Sequence, residues 1–385
     1  MSRVLVVSTT FPQYPGDPRG EFILRHWSQQ VRRGASVRVL APRTAWCHGD
    51  PGAAHGLDIV RFDYAPKRVS SLTGNFGILE NIRERPWRAA LVWPLWRGLA
   101  AALSRELDRG GIDRVVAHML LPGGWIVARE CSRRGVPFEL FGHGTDVDVL
   151  LALPAPLRRR FAGHVAAATA LRFPSAEKRA RFVRACPELP AAKLVVEPMV
   201  HCVAPPPPVS SRPRGDGPPT VLYLGRLIPQ KGVDDLFDAV ARALPDARLE
   251  IAGDGPHRRR LQRHARRLGL RAHFHGFVHA DAKHQLLSQA DVVCVPSREV
   301  AGLSEGAPLV VREAFAYGVP VVATRVGGIP ELRGGGRLSL VVPGDIDALG
   351  RALSQVLREL QTEGPAASEP HEPARTRAGR VAART

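Results

Sequence analysis

SEGAPLVVREAFAYGVPVVAT, residues 304–324, contains a complete loop–helix–strand unit. Pro308 suits the first helical position, where a missing N–H leaves no bond unmade. Gly318 suits the residue just past the helix end, with Pro320 shortly beyond it. VPVVAT then reads as a buried strand. Two carboxylates interrupt this apolar run, Glu305 in the loop and Glu313 in the helix, and carboxylates among apolar residues need partners. Glu313, flanked by Val310, Val311, Ala314 and Phe315, reads either as an exposed helical residue or as a group held for a ligand. Ser304, Gly306 and Ala307 fall at the helix start, where unpaired N–H groups can bind an anion.

The same alternation runs in both directions from this stretch. RVLVVST (3–9), SVRVLAP (36–42), DRVVAH (113–118), VPFELFG (136–142) and ALRFPS (170–175) read as strands separated by helical segments such as 20–33. TVLYLG (220–225), ARLEIAG (247–253), RAHFHG (271–276) and DVVCVPS (291–297) repeat the pattern. Between the two series lies VAPPPPVSSRPRGDGPP (203–219), which suits neither a strand nor a helix and reads as a linker. A chain of 385 residues is too long for one ordinary core and suits two. The expected fold class is therefore α/β, with two doubly wound lobes. Their limits are 1–203 and 220–360, joined by a linker at 204–219 and followed by a disordered tail at 361–385. Ligands of such sheets bind beyond the carboxyl ends of the strands, so two lobes facing a cleft put the chemistry in the loops there.

The net charge is +18, yet only five of the 54 basic residues are lysines, a bias towards arginine that argues weakly for nucleic acid. Residues 1–203 carry +12 of that charge. Five scattered cysteines without C-x-x-C spacing suggest a reducing compartment and no zinc site. The start reads as a strand and not a signal peptide, and no uncharged apolar run reaches membrane-spanning length.

Several loops carry candidate chemistry. In LGRLIPQKGVDDL (224–236), Arg226 and Lys231 flank a short proline loop; they suit a phosphate or are solvated surface cations. AGDGP (252–256) is a tight turn that also permits close approach of a ligand. In ELFGHGTDVDVL (139–150), His143 and Asp146 follow a strand, and the DVD spacing is too common to support a metal site. AHMLLPGGWIVARE (117–130) places His118 at a strand end before a Pro-Gly-Gly turn. RERPWRAALVWPLWRGLAAAL (83–103) mixes arginines with Trp87, Trp93 and Trp96. It suits an anionic membrane surface or a core helix, with a kink expected at Pro94.

The order GRLIPQKG, AGDGP, the 304–324 stretch and GGIPEL (327–332) resembles the family-4 retaining glycosyltransferases of GT-B fold. PGDPRGEF (15–22), the HxxxPxG pattern at His118–Gly124 and HGTD (143–146) extend the resemblance over roughly residues 3–360. It implies two Rossmann-like domains, with acceptor binding in the first and nucleotide-sugar binding in the second. Arg226 and Lys231 are implied to grip the donor diphosphate, Glu313 the ribose hydroxyls, and Glu305 the donor sugar. Gly306, Ala307, Pro308 and Leu309 are implied to lie near sugar and phosphates, His143 to reach the donor from the opposite lobe, and Gly20 to lie in a loop near the acceptor.

The reaction so implied moves a hexosyl-type sugar from a UDP- or GDP-sugar to a glycan, lipid-linked or small-molecule acceptor. It implies front-face attack with retention, no protein nucleophile, no metal and no further cofactor. Polysaccharide biosynthesis in the cytoplasm or peripherally at the inner membrane face fits that reading, and no nucleic acid partner is expected. A phosphorylase or a sugar-nucleotide epimerase on the same fold, and a basic nucleic-acid-binding protein, are the alternatives. The chain departs from the family pattern at 197–206, in PGDPRGEF and at 333–345.

Overall fold

The computed structural model describes residues 2–74, 77–199, 217–333 and 335–362. Most of the proline-rich linker and nearly all of the expected tail fall outside these residues. The first lobe holds β1 (Arg3–Ser8), β2 (Ser36–Pro42), β3 (Asp58–Phe62), β4 (Arg114–His118), β5 (Phe138–Phe141), β6 (Ala170–Phe173) and β7 (Leu194–Val196). All pair in parallel, in the order β3-β2-β1-β4-β5-β6-β7. The second lobe holds β8 (Thr220–Leu224), β9 (Arg248–Ala252), β10 (Arg271–Gly276), β11 (Val292–Val295), β12 (Val321–Thr324) and β13 (Leu338–Val341). Its order, β10-β9-β8-β11-β12-β13, repeats the first six positions of the other sheet.

Strands covered on both faces read as apolar runs, and here Val, Leu and Ile fill them. Leu5, Val6, Val7, Val115, Ala117, Leu222, Ile251, Val293 and Val322 are almost wholly buried. Each sheet separates two apolar clusters, one against each helical layer. Strand order reverses between β1 and β4 and between β8 and β11, which opens a crevice at the carboxyl ends of both sheets.

Three strands are invisible to the apolar-run criterion. DIVRF of β3 and LSLV of β13 lie at sheet edges and are only partly buried, so their sequences are mixed. LVV of β7 is short. The expected kink at Pro94 is absent. Pro94 sits in the first turn of the helix Val92–Asp108, where no intrahelical N–H donor is needed. The break falls instead at Arg85, which Pro86 forces into an extended conformation (φ −140°, ψ 93°). Pro308 is likewise one position further out than expected. Its ψ of 119° makes it the N-cap of Leu309–Ala316. Gly318 takes the position expected for it, at φ 65°, and the N–H groups of Gly318 and Val319 close the helix on Phe315 and Ala314.

Candidate active site

The loops after β8, β11 and β12 build one side of the crevice. Lys231 ends a 3-10 turn, Pro229–Lys231, that closes on Gly232. A Cβ at Gly232 would stand 2.0 Å from the Pro296 carbonyl, so only glycine lets this loop press against the end of β11. The Lys231 ammonium then reaches Oε1 of Glu305 at 2.6 Å, and the Ser297 hydroxyl donates to the same oxygen at 2.8 Å. Burial opposes ionisation of Glu305. Lys231, Ser297 and the nearby charge of Arg226 outweigh it and hold the carboxyl below its ordinary range. Arg226 is itself fixed at the backbone, its carbonyl accepting from the Tyr223 hydroxyl at 2.7 Å.

The glycine pair of GGIPEL serves the same loop. Cβ atoms at Gly327 and Gly328 would lie 2.1 and 2.0 Å from the carbonyl oxygens of Glu305 and Gly306. The Glu305–Gly306 backbone therefore rests directly on backbone, with no side chain between. One helical turn on, Glu313 accepts from Lys283 Nζ at 2.8 Å and is mostly covered. Ala307 packs on the core of its own lobe, whereas Leu309 packs on the first lobe's cluster that contains Phe11 and Trp27.

The first lobe supplies the opposite wall. Gly20 caps the helix Glu21–Arg32 in a left-handed conformation (φ 77°), and a Cβ there would meet the Thr10 carbonyl at 2.7 Å. Two residues on, Phe22 meets the His143 ring edge-on at 5.1 Å. Asp146 holds the turn after β5 by accepting the N–H groups of His143 (2.8 Å) and Leu120 (2.7 Å). His143 also bonds through Nε2 to Nδ1 of buried His118 at 3.0 Å. Burial depresses the pKa of both histidines, and at His118 the neighbouring His143 and His26 add to the effect.

The two walls touch. Cβ atoms at Gly306 and Gly144 would lie 2.8 Å from the His143 carbonyl and 3.0 Å from the Gly306 nitrogen, respectively. Asp148, wholly buried, accepts both from Lys178 Nζ (2.7 Å) and from the Ser304 N–H (2.8 Å) across the crevice. Lys178 also reaches the Ser304 hydroxyl at 2.6 Å. Glu331, at the end of GGIPEL, accepts the N–H groups of Ala176 (2.6 Å) and Glu177 (2.8 Å), at the start of the helix Ala176–Ala185. Asp146 and Asp148 therefore serve different partners, and the DVD spacing does not make a paired site.

Thus Arg226, Lys231, Glu305, Gly306 and His143 come together at the crevice, with Gly20 joined to His143 through Phe22. Glu313 stands on the adjoining helix with a lysine partner of its own. Lys178, Ser297, Glu331 and Trp27 escaped the sequence reading, as did the pairing of Asp148 with Ser304. One signal pointed to Lys178. Lysine is rare in this chain, and three of the five lysines, 178, 231 and 283, hold carboxylates in and around the crevice.

Residues 218–359, which include Arg226, Lys231, Glu305 and Glu313, match the family described as glycosyl transferases group 1. Over 381 residues the chain is 32% identical to a GDP-mannose-dependent alpha-(1-6)-phosphatidylinositol monomannoside mannosyltransferase of Mycobacterium tuberculosis, covering 93% of this chain and 89% of that one. This chain belongs to the group 1 glycosyl transferases. A Mycolicibacterium smegmatis protein of the same description is 35% identical over 69% of this glycosyltransferase and 67% of its own length. Two solved structures share the fold. Sucrose-phosphate synthase from Thermosynechococcus elongatus aligns at TM-score 0.68 and 19% identity over 93% of this chain and 90% of its own. Anabaena HepE, solved with UDP and glucose, aligns at 0.65 and 20% identity over 95% and 92%. The fold is GT-B, and the two parallel sheets face each other across the crevice. Among the described residues no helix is long and apolar enough to cross a membrane.

Proposed function

We propose that this glycosyltransferase moves a mannosyl or similar hexosyl unit from a nucleoside-diphosphate sugar, GDP-mannose first among candidates, to a lipid-linked or glycan acceptor, with retention and without a metal. One observation carries the reading: the Lys231–Glu305 pair, with Arg226 beside it, faces His143 across the Gly144–Gly306 contact. The departing nucleoside diphosphate gains negative charge as the glycosidic bond breaks. Arg226, Lys231 and the N–H groups of Gly306, Ala307 and Leu309 are positive groups fixed beforehand by the fold, the condition under which electrostatic stabilisation is strong. An ammonium has three N–H donors, so Lys231 can keep Glu305 and still meet a phosphate oxygen.

Glu305 then faces the sugar as an acceptor for its hydroxyls. Glu313, with Oε1 held by Lys283, offers its other oxygen to the ribose hydroxyls. Nothing in this scheme needs a protein nucleophile, because attack on the donor's own face lets the leaving phosphate take the acceptor's proton. The mycobacterial relatives named for GDP-mannose and a phosphatidylinositol mannoside support the donor and a lipid-linked acceptor. Trp87, Trp93 and Val92, exposed on the first lobe beside exposed Arg85 and Arg97, support docking on an anionic membrane face.

Thermal shift and turnover across GDP-, UDP- and dTDP-sugars, each with and without EDTA, test the reading. Stabilisation and turnover by GDP-mannose, unaffected by EDTA, is the expected result. Indifference to every nucleotide-sugar sinks it, and turnover only with inorganic phosphate as co-substrate transfers the case to a phosphorylase.

A further inference from the structure

Trp27, His118 and His143 form a directed hydrogen-bond chain from the core of the first lobe to the crevice. Trp27 lies on the helix that Gly20 starts, and its indole Nε1 is 2.8 Å from Nε2 of His118. His118 closes β4 and is wholly buried, and its Nδ1 is 3.0 Å from Nε2 of His143. The rings of His118, Phe141 and His143 lie near parallel, with centroids 5.0 Å (His118–Phe141), 5.2 Å (His118–His143) and 6.4 Å (Phe141–His143) apart.

The direction follows from one chemical fact, that an indole nitrogen only donates. Nε2 of His118 must therefore accept and carries no proton. The proton of neutral His118 then sits on Nδ1 and points at His143. Nε2 of His143 must accept in turn, which leaves its proton on Nδ1. A second proton on either ring would set two N–H groups against each other. The groups around the chain give such a proton no home. His26 meets His118 edge-on at 6.3 Å, and the adjoining carboxylate among the described residues, Asp146, is engaged by two backbone N–H groups. The depressed pKa values of both histidines agree with that. Among the described residues His143 spends Nε2 on His118 and its backbone N–H on Asp146, and Nδ1 has no partner.

We propose that Trp27 and His118 are positioning residues that lock His143 as its neutral Nδ1–H tautomer, so that His143 meets the donor as a hydrogen-bond donor and not as an acid or a base. This rests on the reading that His143 faces the nucleotide-sugar. A hydroxyl or phosphate oxygen of the donor is the matching acceptor. The indole, more than 90 residues away in sequence from His118, would thus fix a proton two residues further along the chain of bonds.

The test is nitrogen NMR of the full chain carrying 15N-labelled histidine, with His143 and His118 assigned by the variants His143→Asn and His118→Asn. The expected wild-type spectrum shows both rings protonated at Nδ1 and bare at Nε2 near neutral pH. Wild-type His143 protonated at Nε2 overturns the proposal. Trp27→Phe frees His118 to reverse, so protonation at Nε2 of His143 should appear and kcat should fall about tenfold with little change in donor KM. If the Trp27→Phe protein is folded and His143 keeps its wild-type tautomer, the lock is not Trp27 and the proposal falls. His118→Asn, whose amide can still donate to His143, should restore activity relative to His118→Leu. GDP-mannose is added to wild type as the separate probe of the donor reading. The expected tautomers with His143 resonances unmoved by it uphold the lock and reject the donor-facing role of His143.

Discussion

Asp148 of the first lobe accepts the backbone N–H of Ser304 of the second at 2.8 Å; both are buried, and Ser304 directly precedes Glu305. The carboxylate is neutralised from its own lobe by Lys178, also wholly buried, and by Arg181 at 3.1 Å. Losing the closer, buried cation is costly even with Arg181 in place, so Lys178→Met should lower unfolding stability by at most about 3–5 kcal/mol, read as a shift in the urea midpoint. Replacing both charges, Lys178→Met with Asp148→Leu, should recover most of that loss. It should not recover donor affinity, because Ser304 is no longer held. Recovery of both would mean that the pair only fills space. Ser304→Ala, which keeps the N–H bond and loses the contact with Lys178, should raise donor KM with little change in stability.

Lys231 pairs with Glu305 in the loop, and Lys283 with Glu313 on the helix, of the same loop–helix unit. Lys231→Ala should reduce kcat at least about 100-fold, because it removes charge that acts on the leaving group and unpairs Glu305. Glu313→Ala should act mainly on binding, raising donor KM about tenfold for one lost acceptor of two hydroxyls. Steady-state kinetics with the best donor found separates the two, and wild-type rates in both variants would reject the site.

His118 and His143 are both depressed by burial below the ordinary histidine value of 6.5. The unfolded chain therefore binds more protons than the folded chain below that value. Stability is full above about pH 6.5 and falls as pH drops from there towards the folded pKa values. Tm should decline on acidification from pH 7 to 5.5. His118→Asn, with one such group removed, should show a shallower decline, and an unchanged slope would argue against a neutral His118.

Trp93 and Trp87 of the first lobe are 66% and 50% exposed. Co-sedimentation with vesicles containing phosphatidylinositol at low salt should be strong for the wild type and weaken with added salt. Trp87→Ser with Trp93→Ser should reduce it several-fold and leave Tm nearly unchanged, since neither side chain supports the core. Wild-type sedimentation by the double variant would remove these tryptophans from consideration.

The amino-acid sequence alone determined the alternation of strands and helices, because strands buried on both faces must be apolar runs and helix ends must be marked by residues such as Gly318. It also exposed Arg226, Lys231, Glu305 and Glu313 as polar groups in loops and on a helix at the strand ends, although their roles came from a resemblance. The edge strands β3 and β13 escaped because their half-solvated faces lack the apolar signal. The partners of those four residues were not legible. Glu305 meets Ser297 eight positions away, but it meets Lys231, Asp148 meets Ser304, and Trp27 meets His118 only once the sheets have brought residues 74 to 156 positions apart within 3 Å. Such pairings leave no periodicity in the chain. They are set by which strand ends lie side by side, and strand order is a property of tertiary packing.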